Sequence, residues 1–200
     1  MEDFSVLLTG PTGTGKSIAA KIIAYSSYIS FNTSTTCFDY SFKELFKSIN
    51  LMEFSQSLLE SELFGHEKGA FTDAIDEKLG IFENTSESHC IFLDEIGETS
   101  PAIQVKLLRV LQERTFYRVG SLSSRNFHGR LICATNKTLQ ELHNPAIFRQ
   151  DFFFRLSSNV ILLPSLKEQL LDSPDDITIL IAHILAKTLS ITDNQLTDDV

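Results

Sequence analysis

Gly10-Pro11-Thr12-Gly13-Thr14-Gly15-Lys16-Ser17 has the residue types and the spacing, G-x-x-x-x-G-K-[ST], of a loop that wraps phosphate. Its glycines let the backbone turn successive N–H groups inward around an anion, and the positive end of a following helix adds to them. Lys16 is then placed to reach the β- and γ-phosphates of a nucleotide, and Ser17 to ligate Mg2+. A second constellation is Cys90-Ile91-Phe92-Leu93-Asp94-Glu95, an apolar run ending in two acids. Asp94 suits a magnesium ion held through water, while Glu95 suits the orientation and polarisation of an attacking water. Such a pair points to hydrolysis rather than kinase chemistry. The bland readings are a Gly-rich turn with an exposed lysine and a solvated strand edge, and neither explains both motifs together.

Both motifs need particular elements around them. Residues 4–8 read as a strand, 18–25 as a helix, 90–93 as a second strand and 129–134 as a third. Ser100-Pro101 supplies an N-cap and a first helical residue, after which Ile103, Leu107, Leu108 and Leu111 share one face and Gln104, Lys106 and Arg109 another. Strands interleaved with helices predict a parallel α/β sheet. Residues 26–41 are rich in Ser and Thr and read as a variable connection. The pattern changes near Pro164. Ser173-Pro174-Asp175-Asp176 predicts a helix start, Ile177, Leu180, Ile181, Ile184 and Leu185 its apolar stripe, and Thr197-Asp198-Asp199 a further cap.

The chain has 200 residues, 42% of them hydrophobic, and a net charge of −9, which fits one domain plus part of another. No stretch approaches the roughly 18 apolar residues of a membrane helix. The acidic start Met1-Glu2-Asp3 is unlike a secretory signal, so no membrane association and a cytoplasmic location are expected. Cys37, Cys90 and Cys133 are too widely spaced for a metal pair or a disulfide framework and are expected to be reduced. His89, His128, His143 and His183 lack ligand spacing. The acidic balance argues against direct DNA binding by this chain.

Residues 58–74, LLESELFGHEKGAFTDA, strongly resemble the surface-loop signature of the sigma-54-dependent transcription activators, the bacterial enhancer-binding proteins. The resemblance continues through Phe92 to Glu98, Lys106 to Glu113, Arg118-Val119-Gly120, Ala134-Thr135-Asn136 and Phe148-Arg149 to Leu156. It spans roughly residues 4–186, with 26–48 as a divergent connection.

The resemblance implies a P-loop NTPase of the AAA+ kind, a three-layer parallel sheet with helices on both faces. Residues 1–164 would be the ATPase core, 62–80 its sigma-contacting insertion, and 165–200 the start of a helical lid that stops before the segment carrying the sensor II arginine. It also implies ATP and Mg2+ as cofactors, a homo-hexameric ring, and sigma-54 RNA polymerase as the partner whose closed complex is remodelled. By the same resemblance Asn50 restrains Glu95, Asn136 is sensor I, and Arg149 and Arg155 are arginine fingers reaching a neighbour's ATP. Gly69, Ala70, Phe71, Thr72, Asp73 and Ala74 form the sigma contact, with Phe71 and Thr72 at the residues credited with it. Asp73 stands where the family usually has glycine, and Asp tolerates the left-handed conformation better than most residues. The family segment that helps hold adenine, a helix-turn-helix and a sensory domain are not recognised in the sequence. A second reading is a truncated or decayed paralogue that binds nucleotide and acts as an interaction or decoy module. A small-molecule P-loop kinase does not account for residues 58–74.

Overall fold

Leu7 and Leu8 are adjacent in a strand and both fully buried. Neighbouring strand residues point to opposite faces, so this strand must be covered on both sides. The structure, a computed structural model, describes residues 5–26, 31–33, 37–38, 42–83 and 85–189. It begins with β1 (Ser5–Thr9) and α1 (Lys16–Tyr25), followed by a short antiparallel pair, β2 (Phe31–Asn32) and β3 (Cys37–Phe38). Next come α2 (Phe42–Leu45), β4 (Phe46–Asn50), α3 (Gln56–Phe64) and a second short pair, β5 (Gly65–His66) and β6 (Lys78–Leu79). Then follow β7 (Cys90–Asp94), α4 (Pro101–Glu113), a hairpin of β8 (Thr115–Tyr117) and β9 (Ser124–Asn126), β10 (Arg130–Thr135), α5 (Leu139–Leu142), α6 (Gln150–Leu156) and β11 (Val160–Leu162).

Five strands form one parallel sheet in the order β11-β1-β10-β7-β4. One face is buried by α3, α4 and α6, whose Leu59, Leu63, Ile103, Leu107, Val110, Phe152 and Leu156 pack with Leu7, Ile91, Leu93 and Leu131 of the strands. On the other face Ala20 and Ala24 of α1 pack against Leu8, Phe92, Ile132 and Ala134. Each large side chain buried in this way contributes about 1.5–3 kcal/mol of hydrophobic stabilisation. The predicted α/β sheet with helices on both faces is therefore what forms.

Several local expectations change. Phe46–Asn50 is a sheet strand that the apolar pattern did not predict. Its apolar positions are few because it is the edge strand and is only partly covered. Gln104 is fully buried, not on the solvent face of α4. Phe4 of the first predicted strand and the cap at Thr197-Asp198-Asp199 lie outside the described residues.

The chain divides into two compact units, residues 1–163 and 164–200. In the second, α7 (Leu166–Asp172) starts with a capping box in which the Ser165 hydroxyl accepts from Glu168 N–H and the Glu168 carboxylate accepts from Ser165 N–H. This helix was not expected from the sequence. Ser173 ends α7 instead of starting the next helix, and α8 (Asp176–Leu189) follows with Ile177, Ile181, Ile184 and Leu185 exposed along one stripe. Among the described residues no helix is long and apolar enough to cross a membrane.

Candidate active site

Four neighbouring strands deliver the candidate groups from their C-terminal ends, the usual location of ligand sites in open parallel sheets. β1 runs into the phosphate loop, β7 ends at Asp94, β10 ends one residue before Asn136, and β4 ends at Asn50. Within the loop Gly13 and Gly15 both have φ 85°, a left-handed conformation that side chains disfavour. Gly15 sits at the N-cap of α1, and its carbonyl accepts from Ile18 N–H and Ala19 N–H, both at 2.9 Å. The loop is closed further by the Thr14 hydroxyl, which donates to Pro11 O at 2.9 Å. Lys16 is nearly buried, and its ammonium donates to Gly10 O (2.8 Å) and Pro11 O (3.0 Å). The lysine is thus folded against the loop it serves.

Glu95 is one of two non-glycine residues with positive φ among those described, at φ 57° and ψ 43°. That conformation costs roughly 1–2 kcal/mol. It is held in place by neighbours: Asn136 N–H donates to the Glu95 carboxylate at 3.3 Å, and Glu95 N–H donates to the Asp94 carboxylate at 3.0 Å. The turn after Glu95 lies so close to β10 that a Cβ on Gly97 would come within 2.5 Å of Thr135 Oγ1. Lys137 clamps the same turn by donating to Gly97 O at 2.8 Å.

Asn50 pairs in register with Asp94, and both line one cavity of about 310 Å3 together with Ser17, Lys21, Glu53 and Phe92. The Asn50 side chain accepts from Met52 N–H at 3.0 Å, and among the described hydrogen bonds none joins it to Glu95. Arg149 is exposed at the N-cap of α6, its guanidinium on the Asp151 carboxylate at 3.1 and 2.6 Å. Arg155 is half-buried and donates to Leu111 O at 3.1 Å from one of its terminal nitrogens. The structure thus gathers the phosphate loop, Asp94, Glu95, Asn50 and Asn136 at one end of the sheet, while the two arginines have partners elsewhere.

One contributor was not foreseen. The buried Gln104 amide donates to Thr99 O at 2.8 Å and its oxygen accepts from Arg149 N–H at 2.9 Å, tying the end of the Glu95 turn to the start of α6. Its spacing to Leu107 and Leu111, i+3 and i+7, was the available signal that it faces inward. Gln104→Leu leaves the buried Thr99 carbonyl and the partly buried Arg149 N–H without this partner, at about 1–3 kcal/mol for a buried group and less for the other. A loss of about 2–4 kcal/mol is expected, read from the urea unfolding midpoint.

The profile of the sigma-54 interaction domain matches residues 1–162. The chain belongs to this family. AtoC, a regulatory protein of Escherichia coli, is 42% identical over 183 residues, which is 92% of this chain and 36% of AtoC. A Nif-specific regulatory protein of Bradyrhizobium diazoefficiens is 45% identical over 170 residues, covering 85% of this chain and 27% of that protein. The chain spans about a third of the length of the curated relatives it matches. Among solved structures, NtrX of Brucella abortus in complex with ADP superimposes with a TM-score of 0.73 at 26% identity, over 96% of this chain and 38% of that one. The same protein in complex with ATP gives 0.71 at 27% identity, over 92% and 38%. The fold is that of an AAA+ P-loop domain, and nothing in these comparisons favours the decoy reading.

The signature loop of this sigma-54 interaction domain lies between β5 and β6. Gly69 N–H donates to Ala74 O at 2.8 Å and Ala74 N–H to Phe71 O at 2.9 Å, closing a tight tip. Phe71 remains 38% exposed with its ring edge-on to His66 at 4.9 Å. The His66 ring is fixed in turn by the Ser61 hydroxyl (2.7 Å) and Asp76 O (3.0 Å). Thr72 and Asp73 are exposed, and Ala74 is buried. Asp73 does not take a positive φ, so the departure from glycine brings no backbone strain.

At the base of the loop the buried Arg118 guanidinium donates to both oxygens of Glu83 (2.8 and 2.9 Å), to Glu77 (2.7 Å) and to Glu67 (3.3 Å). Arg118 directly follows β8, so this network fastens the signature loop to the β8–β9 hairpin. Burial by itself would raise the Glu83 carboxyl, but the hydrogen bonds from Arg118 and Gly80 N–H and the charges of Arg118 and Arg125 hold it below its usual value. A lowered folded-state pKa means stability that is complete above the unfolded value, about 4.3, and lost as pH falls through the folded one. Arg118→Met leaves the buried Glu83 carboxylate with only Arg125 and Gly80 N–H, and a loss of about 3 kcal/mol, the low end for breaking a buried pair, is expected at neutral pH. That deficit should shrink in acid, where Glu83 protonates; urea midpoints measured across pH check both.

Proposed function

We propose that the chain is the ATP-binding and ATP-hydrolysing core of a sigma-54-dependent transcription activator. It works as a homo-hexameric ring and uses turnover to remodel the closed complex of sigma-54 RNA polymerase. The observation that carries this is Glu95, held in a strained conformation beside Asp94 and against the N–H of Asn136, whose strand β10 lies between β7 and the β1 that leads into the phosphate loop. Strain retained at a carboxylate of this kind is a mark of a functional group.

The N–H groups of the loop and of the first turn of α1 would cradle the phosphates, and Lys16 would exchange its loop carbonyls for phosphate oxygens. Ser17 and Asp94 fit Mg2+, since a hydroxyl and a carboxylate share one cavity and this ion takes only one or two protein oxygens beside phosphates and water. Bound there, it would neutralise phosphate charge. Glu95 orients and polarises the attacking water, Asn50 and Asn136 stand beside it, and Arg149 and Arg155 act on the ATP of a neighbouring copy. Residues 1–164 are the core, and residues 165–200 belong to a helical lid. A chain acting on RNA polymerase works in the cytoplasm, and a charge of −9 leaves DNA contact to a different module.

Gly69 to Ala74 is the sigma-contacting tip. Wild-type protein with ADP and aluminium fluoride should co-elute with purified sigma-54, Phe71→Ala should abolish co-elution, and Asp73→Gly should strengthen it by removing a charge. No co-elution of wild type beside a working relative would count against the sigma contact.

A further inference from the structure

Glu95 keeps a backbone shape that most residues avoid, and such a shape persists only where the surroundings leave no alternative. The bonds inside its turn are not enough for this. Glu98 N–H donates to Glu95 O at 3.1 Å, and the Thr99 hydroxyl and N–H both donate to Ile96 O, which ties the turn to itself and leaves it free to swing as a unit. Gln104 fixes the far end through Thr99 O, and the Asn136 N–H bond ends on the Glu95 side chain, not on the turn's backbone.

Between those two points the turn is gripped from outside by Lys137, the residue after Asn136. Its ammonium donates to Gly97 O at 2.8 Å and pairs with the Glu98 carboxylate at 3.1 Å. The lysine is itself fixed, since its own N–H donates to Thr135 Oγ1 at 3.1 Å and its side chain is only 20% exposed. Its stem also closes the space beside the turn: a Cβ on Gly97 would lie 3.0 Å from Lys137 Cδ as well as 2.5 Å from Thr135 Oγ1. The turn therefore has no room to move towards β10, and the ammonium stops it from moving away.

The geometry points to Lys137 as a positioning residue for hydrolysis: it holds the Glu95 turn against the end of β10, so that Glu95 and Asn136 keep one spacing. The inference rests on the role of Glu95 proposed above and assigns what keeps that carboxylate in place. An exposed ion pair with Glu98 alone would do little. The bond to Gly97 O is different, because a charged donor makes a stronger hydrogen bond and this one ends on the backbone two residues from Glu95. A lysine that served the phosphates directly would be expected to point at the phosphate loop, and here both contacts of the ammonium lead to the turn.

Lys137→Met keeps most of the stem and removes the donor. Its kcat for ATP hydrolysis should fall by about 10²-fold, the cost of moving a reacting group by about 1 Å, with KM and the affinity for a fluorescent ATP analogue unchanged. Lys137→Arg, which can donate to the same carbonyl, should regain most of the loss. In a Glu95→Gln background Lys137→Met should cost nothing further, because a residue that acts only through Glu95 then has nothing left to position. A lysine needed only for stability would lower the urea midpoint and leave kcat of the folded protein unchanged.

A kcat of Lys137→Met close to wild type overturns the inference. So does a raised KM with kcat intact, which would put the ammonium on the phosphates, and so does a second full loss in the double variant. Wild type without turnover, or Glu95→Gln as active as wild type, removes the role of Glu95 and the inference with it. A slow Glu95→Gln beside a fast Lys137→Met removes the inference alone.

Discussion

Glu95→Gln is expected to slow steady-state ATP hydrolysis by about 10²–10⁴-fold, the usual contribution of a positioned general base, with nucleotide affinity unchanged. The substitution keeps the size of the side chain and can retain the acceptor for Asn136 N–H, so the turn should survive while the negative charge that polarises the water is lost. Single-turnover hydrolysis and titration with a fluorescent ATP analogue give the two readings separately. Turnover within a few-fold of wild type would remove Glu95 from the mechanism, and lost affinity would reassign it to binding.

Arg149→Ala is the second large effect, an expected fall of about 10³–10⁵-fold in turnover, as for an arginine supplied to a transferring phosphoryl group. In isolation Arg149 is exposed and paired only with Asp151 among the described contacts, so its loss should leave the unfolding midpoint within about 0.5 kcal/mol of wild type. The variant also has a diagnostic partner. Mixed with Glu95→Gln, it should regain activity, because an Arg149 from the second variant can serve the intact Glu95 of the first. A mixture as inactive as its components would exclude action between copies. Arg155 is expected to respond differently: its guanidinium also supports Leu111 O, so its loss should lower stability as well as turnover.

The sequence predicts the fold best where apolar runs are long and buried on both faces. β1, β7 and β10 lie within a residue or so of the expected strands because a central parallel strand leaves no alternating solvent face to confuse the pattern. β4 escaped notice because Phe-Lys-Ser-Ile-Asn is only partly covered at the sheet edge. The phosphate loop and the two acids were readable because their chemistry demands fixed residue types at fixed spacing. The signature loop was readable only through resemblance, since nothing in Phe71 or Thr72 alone indicates a binding tip. The supporting contacts were least readable. Arg118, Glu67, Glu77 and Glu83 are far apart in sequence and meet only when the loop folds onto the hairpin, and Gln104 gives no sign on its own that it bonds to Arg149.

The strand order has a consequence for how the chain acquires its site. β1 is made first, yet both its neighbours in the sheet come late: Ser5 pairs with Leu131, and Leu7 with Val160. Contacts so distant along the chain close slowly. During synthesis the phosphate loop is therefore present, but without a framework, until almost all of residues 1–163 have emerged. ATP capture should therefore follow closure of the sheet, because both strands that flank β1 must be in place before the loop has a framework.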